Sequence, residues 1–336
     1  MNAMVDLAPE GFGGWVVERR KMTEHSITIT ENPMETLNIF AGPGGWCEGV
    51  RANGGDSGLG IDLDSDACNT AIANGHERIC ASTLDLDPYN YSPRVLIASP
   101  PCQVWSSAGK RAGNADMCSV SAMMGAIMGQ NYNYNSFNWG DERSKLVCEP
   151  LRWVVNTQPE WLFMEEVPKV FDVWMMMVPH LKKMGYRVAI DIVNAHNYGV
   201  PQNRRRVVMA ASRVATPEIP RPTRDGLSMA KAIGWGFTNK PAPTVCAGPN
   251  GKSTGAEWGG SSTRNSMWNV MGTANWKSKA SPETTADRIR LSVEDALILQ
   301  SFRRDYKMCG NKTKQYEQIG NAVPPLLAKA ITAQAY

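Results

Sequence analysis

The sequence predicts an α/β fold, a doubly wound and mostly parallel sheet with a second, smaller and loop-rich domain. Three observations carry this reading. Short apolar runs recur with helical segments between several of them, the pattern of a parallel sheet wrapped by helices. A glycine-rich turn, Gly42-Pro43-Gly44-Gly45, separates the first such run from a helical stretch. After Ala211 the alternation stops, and residues rich in Pro, Gly, Ser, Asn and Trp follow without regular period. These features divide the chain into an N-terminal extension (1–34), a sheet domain (35–212), a small domain (213–290) and a C-terminal segment (291–336).

Taken in order, the strand candidates are Leu37 to Phe40, Leu59 to Asp62, Ile79-Cys80, Arg94 to Ala98, Trp161 to Met164, Arg187 to Val193 and Arg206 to Ala211. Helices are expected after Gly45, over Ser65 to Asn74, Glu142 to Asn156 and Phe171 to Met184. The stretch from Ser106 to Asp141 breaks the rhythm. It is rich in Asn, Ser, Gly and Met, and reads either as a flap over a site or as a plain surface insertion. Ser292, three residues before Asp295, has the spacing of a helix N-cap with an acidic partner, and a helix is expected from there toward Phe302.

Composition narrows the function classes. With 336 residues, 43% hydrophobic and 20% charged, the chain is long and apolar enough for a substantial core and is not a disordered chain. A net charge of +3 excludes a polybasic protein, although a local basic patch still suits phosphate. The eight cysteines contain no Cys-x-x-Cys pair and the four histidines lie nowhere near them in ligand spacing, so no metal is expected. No run approaches ~18 apolar residues, the amino terminus lacks a signal-peptide core, and a reducing cytoplasm with no membrane partner is the expected setting.

Four groups of residues point to chemistry. Pro100-Pro101-Cys102-Gln103 follows the apolar run Val95 to Ala98, which puts a thiol on a rigid turn at a strand's carboxyl end, where open α/β sheets bind ligands. A buried, inert cysteine beside a turn fits the same tetrapeptide. Phe40-Ala41-Gly42-Pro43-Gly44-Gly45 lies between strand and helix, and Asp62 ends the next strand about 20 residues on; an adenosine-containing cofactor, or a plain turn with a solvated acid, fits that spacing. Glu165-Glu166-Val167-Pro168 ends another apolar strand, and a carboxyl half-buried there has a raised pKa and suits proton donation. In Gln202-Asn203-Arg204-Arg205-Arg206, strand alternation sends Arg204 and Arg206 to one face, a pair able to clamp a phosphate or a base carbonyl, or simply to face water.

In this order, Phe40-Ala41-Gly42-x-Gly44-Gly45, Pro101-Cys102-Gln103, Glu165-x-Val167, Gln202-x-Arg204-x-Arg206 and Gln318-Ile319-Gly320-Asn321-Ala322-Val323-Pro324-Pro325, the motifs closely resemble those of the cytosine-C5 DNA methyltransferases over roughly residues 36–334. The resemblance implies a Rossmann-like methyltransferase sheet, a target-recognition role for the small domain, S-adenosyl-L-methionine as cofactor and a flipped-out cytosine of double-stranded DNA as substrate. It implies that Phe40, Ala41, Gly42, Gly44, Gly45, Asp62, Asn321 and Val323 hold the cofactor. It makes Cys102 the nucleophile that bonds cytosine C6, Glu165 the group at N3, Arg206 the group at O2, and Arg204 a support for the loop or a phosphate. Pro101, Gln103, Ser106 and Gln202 fall on the substrate side. Lys110 and Arg111 are phosphate contacts, Arg264 and Asn265 are candidates for base reading, and Pro241-Ala242-Pro243-Thr244-Val245 is similar to the weaker motif preceding the C-terminal return. A monomer is expected.

The chain departs from the family pattern at three places. Glu166 stands where an Asn is usual, and an ionised carboxylate there disfavours a nearby thiolate. Ser82 stands where an acid after the third strand is usual, and Asn38 where an Asp is common. The readings left beside the DNA enzyme are an RNA cytosine-C5 methyltransferase and a catalytically silent DNA-binding relative.

Overall fold

A computed structural model of the chain describes residues 34–101, 104–105, 115–236, 238–245 and 291–336. Among them a seven-stranded sheet has the order β3-β2-β1-β4-β5-β7-β6. The strands are β1 (Met34–Ile39), β2 (Leu59–Asp62), β3 (Glu77–Cys80), β4 (Pro93–Ala98), β5 (Trp161–Glu166), β6 (Arg187–Asn194) and β7 (Arg205–Ser212). β1 to β5 pair in parallel, and β7 runs antiparallel to both β5 and β6. The chain winds outward from β1 through β2 to β3, then returns to place β4 on the other side of β1. The carboxyl ends of β1 and β4 therefore diverge into a crevice, the position where such sheets bind ligands.

Because β7 is reversed, its first residues, Arg205 and Arg206, lie opposite Asn194 and Val193 of β6, and Val207 lies opposite Glu166 at the end of β5. This reversal brings basic residues from the start of one strand to the carboxyl edge of the parallel ones. One face of the sheet packs Leu96, Leu162, Met164, Val207 and Met209 against α4 (Glu149–Thr157) and α5 (Phe171–Lys183), through residues such as Leu151, Trp153, Trp174 and Met177. The other packs Ile97, Phe163, Val208 and Ala210 against α1 (Gly45–Arg51) and a C-terminal helix, Pro325–Thr332.

The sequence-predicted strands and most helices fall where expected; two stretches differ. Residues 106–114, the part of the expected flap or insertion nearest Cys102, lie outside the described residues; farther along the stretch, Met117–Met128 forms a helix, α3, that periodicity did not suggest. Val120, Met123, Met124 and Ile127 are fully buried in the main core. Their spacing is one face of a helix, a pattern that the surrounding Ser, Asn and Gly obscure. The helix expected over Glu142 to Asn156 is a 3-10 turn, Glu142–Cys148, followed by α4, because Pro150 has no N–H to continue the ladder and instead opens a new first turn. Beyond Ala211, Met229, Ile233, Ala242 and Val245 share one cluster with Leu297, Leu299, Phe302 and Ile319. In chain order the remaining helices are α2 (Ser65–Ala73), then α6 (Met229–Ile233), α7 (Val293–Leu299), α8 (Lys312–Asn321) and α9 (Pro325–Thr332). Ser292 caps α7 in a reciprocal box with Asp295, as its spacing predicts. The N-terminal extension, apart from Met34, and residues 246–290 lie outside the described residues. No described helix is long and apolar enough to cross a membrane.

Candidate active site

A cavity of about 640 Å³ occupies the crevice at the carboxyl edge. Its size is that of a pocket for one drug-sized ligand or more. One side is the loop after β1. Phe40 has φ of 57°, in the left-handed region that non-glycine residues rarely adopt, so the chain turns sharply as the strand ends. Phe40, Ala41, Gly42, Pro43 and Gly45 line the cavity. Gly44 turns away from it, against Tyr306 and His76. Behind the loop, the Tyr306 hydroxyl donates to the Pro43 carbonyl at 2.6 Å, and His76 Nε2 lies 3.0 Å from Glu48 Oε1.

Asp62 joins the loop to the next strand. Its Oδ2 accepts from the Gly42 N–H at 2.7 Å and its Oδ1 from the Asp64 N–H at 2.8 Å. Burial raises its carboxyl above the usual range, partly countered by these two bonds. Beyond it, Asp64 caps α2, while Ser82 caps the next turn by accepting from the Leu84 N–H at 3.2 Å. The exposed side chain of Leu63 and residues Ala81, Ser82 and Thr83 complete this end of the cavity.

The C-terminal segment closes the opposite wall. Gln318, Gly320, Asn321, Ala322 and Val323 line it. A Cβ on Gly45 would collide with the Val323 carbonyl, so glycine is what lets the two walls meet. Arg204, 1% exposed, fixes this return: its guanidinium donates to the carbonyls of Val245 at 3.2 Å, Gly320 at 3.0 Å and Ala322 at 3.1 Å. Gln202 is fully buried behind it, donating to the Leu299 carbonyl and accepting from the Val245 N–H, and it does not line the cavity. Across the mouth, Lys314 of α8 pairs with Asp64 and Glu317, each at 3.3 Å.

The floor is acidic. Glu165 and Glu166 end β5 and are each 4% exposed. Arg206 Nε lies 3.0 Å from Glu165 Oε1. Burial raises the Glu165 carboxyl, while Arg206 and then Arg204 oppose the rise. Such a group sits between its charged and neutral forms more readily than a solvated acid does, which suits exchange of a proton. Above the floor, Ser99, Pro100 and Pro101 leave β4 along the cavity wall, and Trp46 Nε1 donates to Ser99 Oγ at 2.9 Å.

The structure thus brings together Pro101, Glu165, Arg204 and Arg206 with the glycine loop, Asp62, Asn321 and Val323. Cys102, Gln103, Ser106, Lys110, Arg111, Arg264 and Asn265 lie outside the described residues; Pro101, which precedes Cys102 in sequence, lines the cavity. Sequence reasoning missed Trp46, Leu63, Lys314, Glu317 and Gln318 as cavity residues. Trp46 adjoins the glycine-loop motif and Gln318 opens the C-terminal one, so both were within reach of it. The Lys314–Asp64 contact spans 250 positions and leaves no local signal.

Comparison with known proteins agrees with this geometry. The family model of the C-5 cytosine-specific DNA methylase matches residues 34–120, 135–232 and 248–336. The chain is 29% identical to the type II methyltransferase M.AplI of Arthrospira platensis, over 90% of this chain and 85% of that protein. It is 25% identical to M.HgiDI of Herpetosiphon aurantiacus, over 90% of this chain and 95% of the relative. Among solved structures, a Spodoptera frugiperda DNMT2 mutant superposes with a TM-score of 0.61 at 13% identity, covering 90% of this chain and all of that one, a likeness of fold. The fold is the Rossmann-like α/β fold of these neighbours. More narrowly, the chain belongs to the C-5 cytosine-specific DNA methylase family.

Proposed function

We propose that the chain methylates C5 of a flipped-out cytosine in double-stranded DNA, with S-adenosyl-L-methionine as donor. The observation that carries this reading is the buried Glu165–Arg206 pair in the same cavity as the glycine loop and Asp62. The residues present fit the donor: a Cβ on Gly42 would meet nothing within 4 Å, so the loop opens onto space. Gln318 also lines the cavity with a buried Oε1 that has no partner. Phe40 to Gly45 and Asn321 to Val323 would enclose the donor's methionine and adenosine, with Asp62 toward the ribose. When bound, the donor supplies an electrophilic methyl group on a sulfonium whose leaving group is a neutral thioether.

Cytosine C5 is too weak a nucleophile until the ring gains electron density. Glu165, ionised beside Arg206 in the free protein, takes up a solvent proton as the base enters and passes it to N3 while the Cys102 thiolate adds to C6, which turns C5 into an enamine carbon. Arg206, beside Glu165, stabilises charge at O2. After transfer, loss of the C5 proton to water, return of the N3 proton to Glu165 and expulsion of the thiolate restore the aromatic ring. Arg204 supports the wall of the pocket. Because C5 and C6 are covered in a stacked duplex, the base must leave it, at a cost of a few kcal/mol. Lys110 and Arg111 contact phosphate, and residues 213–290, Arg264 and Asn265 among them, read the sequence.

The test is transfer of labelled methyl from S-adenosyl-L-methionine to duplex DNA and, in parallel, to transfer RNA, followed by nucleoside analysis. Label in 5-methyl-deoxycytidine is expected. Label in RNA alone would replace the DNA reading with the RNA one, and label in neither would leave a silent binder.

A further inference from the structure

Glu166 occupies one of the three places where the sequence departs from the family pattern, and its surroundings differ from those of Glu165. Successive strand residues point to opposite faces. Glu165 follows Phe163 on the face of α1 and α9, whereas Glu166 follows Met164 on the face of α4 and α5. Both nevertheless line the cavity, because the strand ends there and the chain turns at Val167 and Pro168.

The cations around the pair are committed to groups other than Glu166. Arg206 contacts Glu165 at 3.0 Å and donates from Nη1 to the Arg205 carbonyl at 2.8 Å. Arg204 is engaged by backbone carbonyls of the C-terminal return. Lys314 pairs with Asp64 and Glu317 at the mouth, and the other charged groups on the cavity wall, Asp62 and Asp66, are acids. Among the described residues Glu166 has no ion pair; its one hydrogen bond is from the adjacent Val167 N–H to Oε2. A carboxylate so buried, with no cation of its own and a second carboxylate beside it, takes up a proton.

We propose, on the functional reading above, that Glu166 is a neutral carboxylic acid at physiological pH and a positioning residue. Its O–H donates into the cavity, and the Glu165–Glu166 pair carries a single negative charge matched by Arg206. A protonated carboxyl offers an O–H donor beside a carbonyl acceptor, where a side-chain amide offers N–H donors beside one. The departure from Asn therefore preserves hydrogen-bonding character and puts no second charge beside the site. Burial first, and then the charge of Glu165, push the Glu166 carboxyl well above the carboxylate range; the Val167 N–H, Arg206 and Arg204 oppose this weakly.

The consequence is a pH dependence of known sign. A carboxyl whose folded pKa is raised stabilises the fold fully below its unfolded pKa, about 4.3, and loses that contribution as pH rises through the folded value. Infrared spectroscopy of the full chain at about pH 7, above the range of an ordinary carboxyl, is expected to show the carbonyl stretch of a protonated carboxylic acid. Glu166→Gln removes that band. Glu165→Gln keeps it but moves its disappearance to lower pH, because the neighbouring charge is gone. In turnover, the ratio of Glu166→Gln to wild type rises about tenfold per pH unit above the Glu166 pKa, as the wild-type donor is lost. Absence of the band in the wild type, or its persistence in Glu166→Gln, overturns the inference. So do identical alkaline pH profiles for wild type and Glu166→Gln. The infrared arm reads protonation without any methyl transfer, so a protein that fails to methylate DNA yet shows the band refutes the function and leaves this inference standing.

Discussion

Two buried acidic sites in this molecule are built in contrary ways. Glu149, at the start of α4, has no solvent exposure, yet its oxygens accept from the Tyr134 hydroxyl, from Arg152 Nε at 2.9 Å and from Arg152 Nη2 at 2.8 Å. Arg152 also donates to the carbonyls of Thr83 and Leu86, tying α4 to the turns after β3. At the end of β5, two carboxylates of similar burial share one arginine contact and one backbone N–H. Scaffold positions close their hydrogen bonds internally, whereas this site leaves polar capacity facing a cavity. Burial of an acid is therefore not itself the mark of function; the unmet bonding is.

The largest expected effect separates the two. Glu165→Gln should lower methyl transfer by about 10²- to 10⁴-fold while the protein still folds, measured as single-turnover rate beside a thermal melt. A matching collapse of folding would break the contrast. Glu149→Gln should do the reverse: stranding the Arg152 charge should cost about 3–5 kcal/mol of stability in denaturant titrations, with activity per folded molecule retained. Gly45→Ala drives a methyl group against the Val323 carbonyl, and over-packing of that kind should cost about 1–3 kcal/mol and weaken S-adenosyl-L-methionine binding by calorimetry. The smallest effect is expected at a residue that does not line the cavity. Ser292→Ala removes a reciprocal cap and should lower stability by about 1 kcal/mol without altering the rate.

Much of the sheet was legible because its strands are short apolar runs bounded by turn residues. Leu59–Asp62 matches its predicted span, and β7 starts one residue before Arg206. The direction of β7 was not legible, since periodicity within a strand is the same whichever way its neighbour runs. The α3 helix was hidden because its four buried positions are diluted by small and polar residues on the outer face. At the site, motif residues near strand ends were found, as was the expected split between Arg205, exposed, and Arg204 and Arg206, both on the cavity wall. Gln202 was placed on the substrate side, whereas it is sealed behind Arg204, a distinction that depends on which backbone carbonyls come near in space. The charge state of Glu166 was also beyond the sequence, since it rests on counting the cations that surround it.

In the proposed reaction Cys102 bonds cytosine C6 while Glu165 serves N3. It is tested most directly with duplex DNA carrying 5-fluorocytosine at the target, because fluorine cannot leave as a proton and halts the reaction before the thiolate is released. With S-adenosyl-L-methionine present, the wild-type chain should form a denaturation-resistant adduct that maps to Cys102, and Cys102→Ser should form none. Methyl transfer to ordinary DNA without any such adduct, or an adduct that survives in Cys102→Ser, would contradict it.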